Sequence, residues 1–277
     1  MTAVAQRAVR AIIEYDGTAF AGSQVQPNAR TVQGELEMAL NRLMGGRTRV
    51  QLAGRTDAGV HATGQVAAFG LPAGEGLARL RERLNAVLPQ DLVVRTLSPA
   101  PRGFDPRRDA RWRVYRYRIL MNGARRPLER HRTLEIDGRL DVAAMRAAAG
   151  RMAGHRDFAA LGSDANGRTV RHLAEVRVTR RGNLVEVRVT ANAFLRRMVR
   201  SIVAILVAVG LGRLAPEAVD RLLAEPRRAL HGRAAPPHGL TLERVVYASA
   251  DNRTDTHAVA RNRVAGDNEG NPESAQT

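Results

Sequence analysis

The chain of 277 residues is 44% hydrophobic by composition and carries 44 basic against 27 acidic residues, a formal charge of +17. Every basic residue is arginine and cysteine is absent, which excludes a lysine Schiff base, a P-loop lysine, a thiolate nucleophile, a disulfide framework and a thiolate metal site. The apolar content suffices for one large domain or two modest ones with their own cores, and the chemistry is left to carboxylates, histidine, hydroxyls, arginine and backbone.

The first predicted strand is Val9 to Tyr15, where Val9, Ala11, Ile13 and Tyr15 alternate with Arg10 and Glu14 before the turn Asp16-Gly17. Thr31 caps a helix whose apolar positions Val32, Leu36, Leu40 and Leu43 recur every three or four residues until Gly45-Gly46. Arg49 to Ala53 and Gln65 to Phe69 read as strands on either side of a glycine-rich loop. A second amphipathic helix carries Leu77, Leu80, Leu84, Val87 and Leu88 and stops at Pro89, and Leu92 to Leu97 is the next strand. Ser98 to Arg108, rich in proline and arginine, reads as a domain boundary.

Beyond it come the strand Arg111 to Met121 and a helix from Asp141 with Val142, Met145, Ala149 and Met152 on one face. Glu175 to Thr179 and Val185 to Thr190 form a hairpin around Arg181-Gly182-Asn183. A helix from near Ala193 follows, carrying Met198, Val199, Ile202, Val203, Leu206 and Val209, then a short helix after Pro216 and a last strand, Thr241 to Tyr247. Residues 249–277 hold no Leu, Ile, Met or aromatic residue and have a net charge of −2, so they read as a disordered tail and leave +19 on the rest. The predicted class is α+β: two related α/β halves, residues 1–100 and 101–248, with mainly antiparallel sheets forming a central sheet and flanking helices. Met1 to Arg10 is polar and alanine-rich, and the apolar run Ile202 to Leu211 is about half the ~20 residues of a membrane span. The chain therefore reads as soluble and cytoplasmic, with no membrane.

The charge is uneven. Arg102 to Arg132 holds eleven arginines against Asp105, Asp109 and Glu129, a local excess of +8 in 31 residues. Guanidinium forks bind phosphate and stack on bases, so the pattern suits a nucleic acid, the alternatives being solvated arginine or an acidic protein partner. On the strand Trp112 to Met121, alternation puts Tyr115, Tyr117 and Ile119 on one face and Arg116 and Arg118 with Trp112 and Val114 on the other, which suits base stacking or a plain core. Arg196 and Arg200 share a helix face just before the buried stretch, so that one reaching inward needs an anion, Asp57 or a phosphate.

The densest chemistry is Gly54-Arg55-Thr56-Asp57-Ala58-Gly59-Val60-His61-Ala62-Thr63-Gly64-Gln65, with glycines that permit positive φ and close approach of another chain. Asp57 is either a turn former or a catalytic carboxylate, Arg55 a phosphate anchor, a carboxylate orienter or surface charge, and His61 an RNA contact or a structural residue. Asp57 and His61 are too few ligands for a metal.

Glu14-Tyr15-Asp16-Gly17, this loop, Arg113-Val114-Tyr115-Arg116-Tyr117, Ala191-Asn192-Ala193-Phe194-Leu195-Arg196 with Met198-Val199-Arg200, and Gly239-Leu240 occur in order and at suitable spacing. Together they resemble the TruA family of tRNA pseudouridine synthases from about Val9 to Tyr247, the Gly-Arg-Thr-Asp-Ala-Gly-Val-His string being highly specific. The resemblance implies the pseudouridine synthase fold and an isomerase, a homodimer without cofactor or metal. Its substrate would be the tRNA anticodon arm, at uridines 38, 39 and 40. It further implies Asp57 as the catalytic aspartate, Tyr115 as the ring against which uracil lies, Arg200 as the basic partner of Asp57 and Arg55 as a substrate-binding arginine. Ser23 stands where the family usually has tryptophan, which is expected to alter packing or RNA contact more than chemistry. Two further readings are an RNA-binding module that has lost catalysis, and a metal-dependent nuclease using Asp57 and His61.

Overall fold

A computed structural model describes residues 6–72, 74–121, 126–225 and 234–248; the expected disordered tail, 249–277, and Arg125 lie outside them. Ten strands form one sheet. Their ranges are β1 (Gln6–Tyr15), β2 (Gln51–Leu52), β3 (His61–Pro72), β4 (Leu92–Pro99), β5 (Ala110–Met121), β6 (Leu134–Ile136), β7 (Gly154–Asp157), β8 (Val170–Arg181), β9 (Leu184–Ala191) and β10 (Leu240–Tyr247). The order is β4-β1-β3-β10-β5-β9-β8-β7, with β2 added to β3 and β6 to β5. Pairing is antiparallel except for β3 with β10 and β5 with β6.

Strand alternation decides which face is covered. Val9, Ala11, Ile13 and Tyr15 of β1 are buried, as are Val185, Val187 and Val189 of β9, while the residues between them are only half-buried. The helices pack on the buried face. Helix α1 (Val32–Met44) starts at Thr31, whose side chain accepts from Gly34 N, buries Val32, Leu36, Ala39 and Leu40, and ends at left-handed Gly45. Helix α2 (Leu77–Val87) lays Leu80 and Leu84 against the sheet, and α3 (Val142–Met152), capped by Asp141, buries Met145, Ala148, Ala149 and Met152. Helix α4 (Met198–Gly210) is buried on most sides, through Met198, Val199, Ile202, Val203, Ile205, Leu206 and Val209. Each such side chain contributes about 1.5–3 kcal/mol. Helix α5 (Ala218–Ala224) is short. Among the described residues no helix is long and apolar enough to cross a membrane.

Several boundaries differ from those predicted. The strand expected at Arg49–Ala53 is only Gln51–Leu52, and the one expected to start at Gln65 already starts at His61. The helix expected from near Ala193 starts at Met198. The reason lies in bonds that reach across a loop: Asn192 Oδ1 accepts from Ala193 N and His172 N, Arg196 N donates to Ser163 O, and Arg197 is left-handed at φ 65°. These bonds hold the backbone in a non-helical path. Arg196 is therefore exposed and outside the helix, not on a shared face with Arg200.

The strands drawn from residues 6–99 meet those from residues 110–247 where β3 pairs with β10, through Thr241 with His61 and Leu242 with Ala62. Gly64 permits this approach, because a Cβ there would collide with the Glu243 carbonyl of β10.

Candidate active site

The glycine-rich loop emerges between β2 and β3, close to the β3–β10 junction. It is held from below by Thr56, 7% exposed, whose Oγ1 lies 2.9 Å from the Tyr15 hydroxyl. Burial pushes the Tyr15 phenol up to about 12 against the hydrogen bonds of Thr56 and Gln65. Ser23, fully buried, accepts from Thr56 N at 2.9 Å through Oγ and donates its own N–H to Thr56 O at 3.1 Å. The serine thus braces the residue next to Asp57 directly, although the two are 33 positions apart. Within the loop Gly59 has φ +77° and packs on Pro237, whereas Gly54 does not adopt positive φ.

Asp57 meets Arg200 across 143 positions of sequence: Arg200 Nη1 donates to Asp57 Oδ2 at 3.0 Å. The side chains are 28% and 15% exposed, so the carboxylate is half-open while its partner is nearly enclosed. Arg200 is itself fixed, donating through Nε to Ala235 O at 2.7 Å, while Ala235 N donates to Arg200 O. Among the described residues Asp57 Oδ1 has no hydrogen-bond partner, leaving one oxygen held and one available.

Tyr115 is 7% exposed and meets Phe194 edge-on at 5.1 Å between ring centroids, 88° between planes. Burial, with Tyr15 and Asp57 adding repulsion and Arg113 opposing, holds its phenol well above the ordinary value, so it stays protonated. Tyr117 is buried beneath it on the same strand face and donates to Pro236 O at 2.8 Å. Gly239 lies against that ring, where a Cβ would sit 2.6 Å from it.

The other motif residues separate. Arg116 and Arg118 point to the opposite sheet face, where Arg116 pairs with Glu186 at 3.0 Å and Glu243 at 2.9 Å, and Arg118 with Glu129 at 2.8 Å. They do not interleave with Tyr115, and part of the local +8 is neutralised. Arg55 is exposed and forms no hydrogen bond or ion pair with Asp57 among the described residues. It lines a neighbouring cavity with Arg107 and Arg108. His61 is structural: Gly17 N–H donates to Nδ1 at 3.0 Å, and Nε2–H donates to the His131 and His238 carbonyls at 2.7 and 3.1 Å. Among the described residues no three His, Asp or Glu side chains are grouped to hold a metal.

Arg113 is a residue that motif reading underused. It is 7% exposed and donates to four carbonyls, those of Ala53, Arg107, Ala110 and Asn192. Burial lowers its pKa from the usual arginine value. It ties the base of the Asp57 loop to the loop before β5 and to the segment before α4. Its parity with Tyr115, Tyr117 and Ile119 was the available signal, since it places an arginine on the buried face.

Comparison with known proteins identifies the family. A family profile described as tRNA pseudouridine synthase matches residues 11–107 and 148–248. The chain is 44% identical over 244 residues to tRNA pseudouridine synthase A of Geobacter sp. (strain M21), covering 87% of this chain and 99% of that one. It is 45% identical over 249 residues to the protein of the same name from Chloroflexus aurantiacus (strain ATCC 29366 / DSM 635 / J-10-fl), covering 87% and 89%. The Myxococcus xanthus protein of that name is 42% identical over 238 residues, covering 85% and 90%.

Proposed function

The chain belongs to the tRNA pseudouridine synthase A family, and from that premise we propose that it isomerises uridine to pseudouridine at positions 38, 39 and 40 of the tRNA anticodon arm. Asp57 is the catalytic carboxylate, Tyr115 the ring on which uracil rests, Arg200 the group that holds Asp57, and Arg55 a substrate contact. The observation that supports the roles of Asp57, Arg200 and Tyr115 is the Asp57–Arg200 bond, close enough to Tyr115 for its phenol to feel the carboxylate charge.

The reaction breaks C1′–N1, turns the uracil and joins C1′ to C5, while C5 loses a proton and N1 gains one. No atom is gained or lost and nothing is oxidised, which suits a site of carboxylate, guanidinium and phenol without cofactor or metal. The target uridine must first leave its stack, and arginine contacts to the splayed backbone offset the unstacking cost of a few kcal/mol. With Oδ2 held by Arg200, Asp57 Oδ1 faces the bound nucleoside as nucleophile at C1′ or C6, or as base at C2′. Tyr115, protonated throughout the working range, offers its ring and not a charge.

On this reading the protein works in the cytoplasm on tRNA as a homodimer, each chain built of two related halves, residues 1–100 and 101–248. Sedimentation of the purified protein tests the dimer.

The function is tested by incubating the protein with unmodified tRNA, without metal, and scoring pseudouridine by carbodiimide-dependent reverse-transcription stops. Asp57→Asn should bind tRNA like wild type and leave the uridines unmodified; substantial product from it refutes the role of Asp57. Tyr115→Phe should remain active where Tyr115→Ala does not, and equal rates would argue against the stacking ring.

A further inference from the structure

We propose that the cavity flanked by Arg55, Arg107 and Arg108 is a second nucleotide subsite, which grips the phosphodiester next to the reacting uridine. The inference rests on the pseudouridine synthase reading above and adds a place for the neighbouring nucleotide.

The cavity has a volume of about 550 Å³ and is rimmed by Gln24, Gln51, Arg55, Asp105, Arg107 and Arg108, a size within the usual range for ligand sites. Among the described residues the guanidinium groups of Arg55 and Arg107 donate no hydrogen bond, and Arg108 makes only a 3.7 Å approach to Asp105. Three arginines thus face a hollow with little to neutralise them. Asp105 is the one carboxylate on the rim, and its Oδ1 is occupied by the backbone N–H groups of Arg107 and Arg108 at 2.8 and 2.9 Å. That turn presents the two arginines side by side. Asp164, whose charge also reaches Arg107, is paired with Arg171.

The two walls are clamped together. Arg113 Nη2 donates both to Ala53 O, at the base of the Asp57 loop, and to Arg107 O, at 3.0 and 2.6 Å. One buried guanidinium therefore ties the backbone at Ala53, two residues before Arg55, to the backbone of Arg107. The cavity's relation to the reacting site follows from chain geometry. Thr56 turns inward to Tyr15 and Ser23, leaving Arg55 and Asp57 accessible on either side of it. Arg55 stands two residues from Asp57, so their Cα atoms are at most about 7 Å apart, within the reach of one nucleotide step. A uridine at Asp57 thus leaves its neighbour's phosphate at Arg55, Arg107 and Arg108, where forked guanidinium donors match phosphate oxygens. Gln24 and Gln51 also line the cavity and carry amides able to bond a base edge.

The test is binding of a fluorescent anticodon-arm stem-loop RNA to wild type and to the Arg107→Ala/Arg108→Ala double variant, with single uncharged methylphosphonates walked through the loop and adjoining stem. The double variant should bind the unmodified RNA about tenfold more weakly, with a log–log salt slope shallower by about 1–2. One methylphosphonate position should weaken wild type by a similar factor and leave the variant unaffected. In single-turnover kinetics the double variant should need an RNA concentration about tenfold higher for half-maximal rate, the loss falling on apparent affinity more than on the rate at saturation. Additive effects of variant and methylphosphonate at every position overturn the subsite, as does unaltered affinity. Arg107→Gln/Arg108→Gln, with an unchanged melting curve, repeats the measurement should the alanine pair misfold. Absence of pseudouridine from the wild-type reaction overturns the functional reading itself, whereas product together with additive binding effects overturns the subsite alone.

Discussion

Breaking the contact between Asp57 and Arg200 is expected to loosen the loop and slow the chemistry together. Arg200 Nη1 lies 3.0 Å from Asp57 Oδ2, with the side chains 15% and 28% exposed. An exposed ion pair contributes about 0–1 kcal/mol, and removing one partner of a buried pair costs about 3–5 kcal/mol. The partial enclosure here places the coupling between these limits, at about 1.5 kcal/mol. Arg200→Met also loses the Nε bond to Ala235 O, so its own cost is larger, about 2–3 kcal/mol, against about 1.5 kcal/mol for Asp57→Ala. For a domain of this size each kcal/mol shifts the melting temperature by about 2–4 °C. Urea unfolding of wild type, the two single variants and the double variant isolates the coupling. Single-turnover kinetics of Arg200→Met should show a rate about 100-fold lower at saturating tRNA, because the carboxylate is no longer held in place. A coupling energy below about 0.3 kcal/mol, within ordinary additivity error, refutes the claim that Arg200 positions Asp57.

Ser23→Ala removes the buried acceptor of Thr56 N, so it should destabilise by about 1–3 kcal/mol in urea unfolding and reduce turnover more than tRNA affinity. Gly239→Ala places a methyl within 2.6 Å of the Tyr117 ring and should cost about 1–3 kcal/mol, read from the melting curve. Burial holds the pKa of His238 below the ordinary 6.5, with the bond at Thr133 opposing and His61 and His131 reinforcing it. The unfolded chain therefore binds this proton first as pH drops. The corresponding stability is intact above pH 6.5 and is lost as pH falls through the lower folded value. His238→Asn should flatten that part of the urea midpoint–pH curve, and an unchanged slope contradicts the assignment.

Much of the fold was legible because its signals are local. Thr31, Gly45, Asp141 and Gly182 punctuate the chain through hydrogen bonds and φ values set within a few residues. Strand β1 and most of β9 show their buried faces by simple alternation. Asp57 and Tyr115 stood out as motif residues for the same reason: their immediate neighbours carry the pattern. What periodicity could not supply was partnership. The start of α4 was misplaced because Asn192 and Ser163 take backbone donors across a loop, and the β3–β10 link rests on a parallel pair from opposite ends of the chain.

The sequence by itself determined the alternation of elements, the central carboxylate loop and a chemistry restricted to arginine, carboxylate and phenol. Only the tertiary structure decided how the arginines divide. Arg200 meets Asp57, Arg113 is spent on four carbonyls, Arg116 and Arg118 are matched by glutamates on neighbouring strands, and Arg55, Arg107 and Arg108 face a hollow. The physical reason is that composition counts a guanidinium once, whereas its effect depends on which carboxylate, carbonyl or solvent lies within about 3 Å, and those neighbours come from distant parts of the chain.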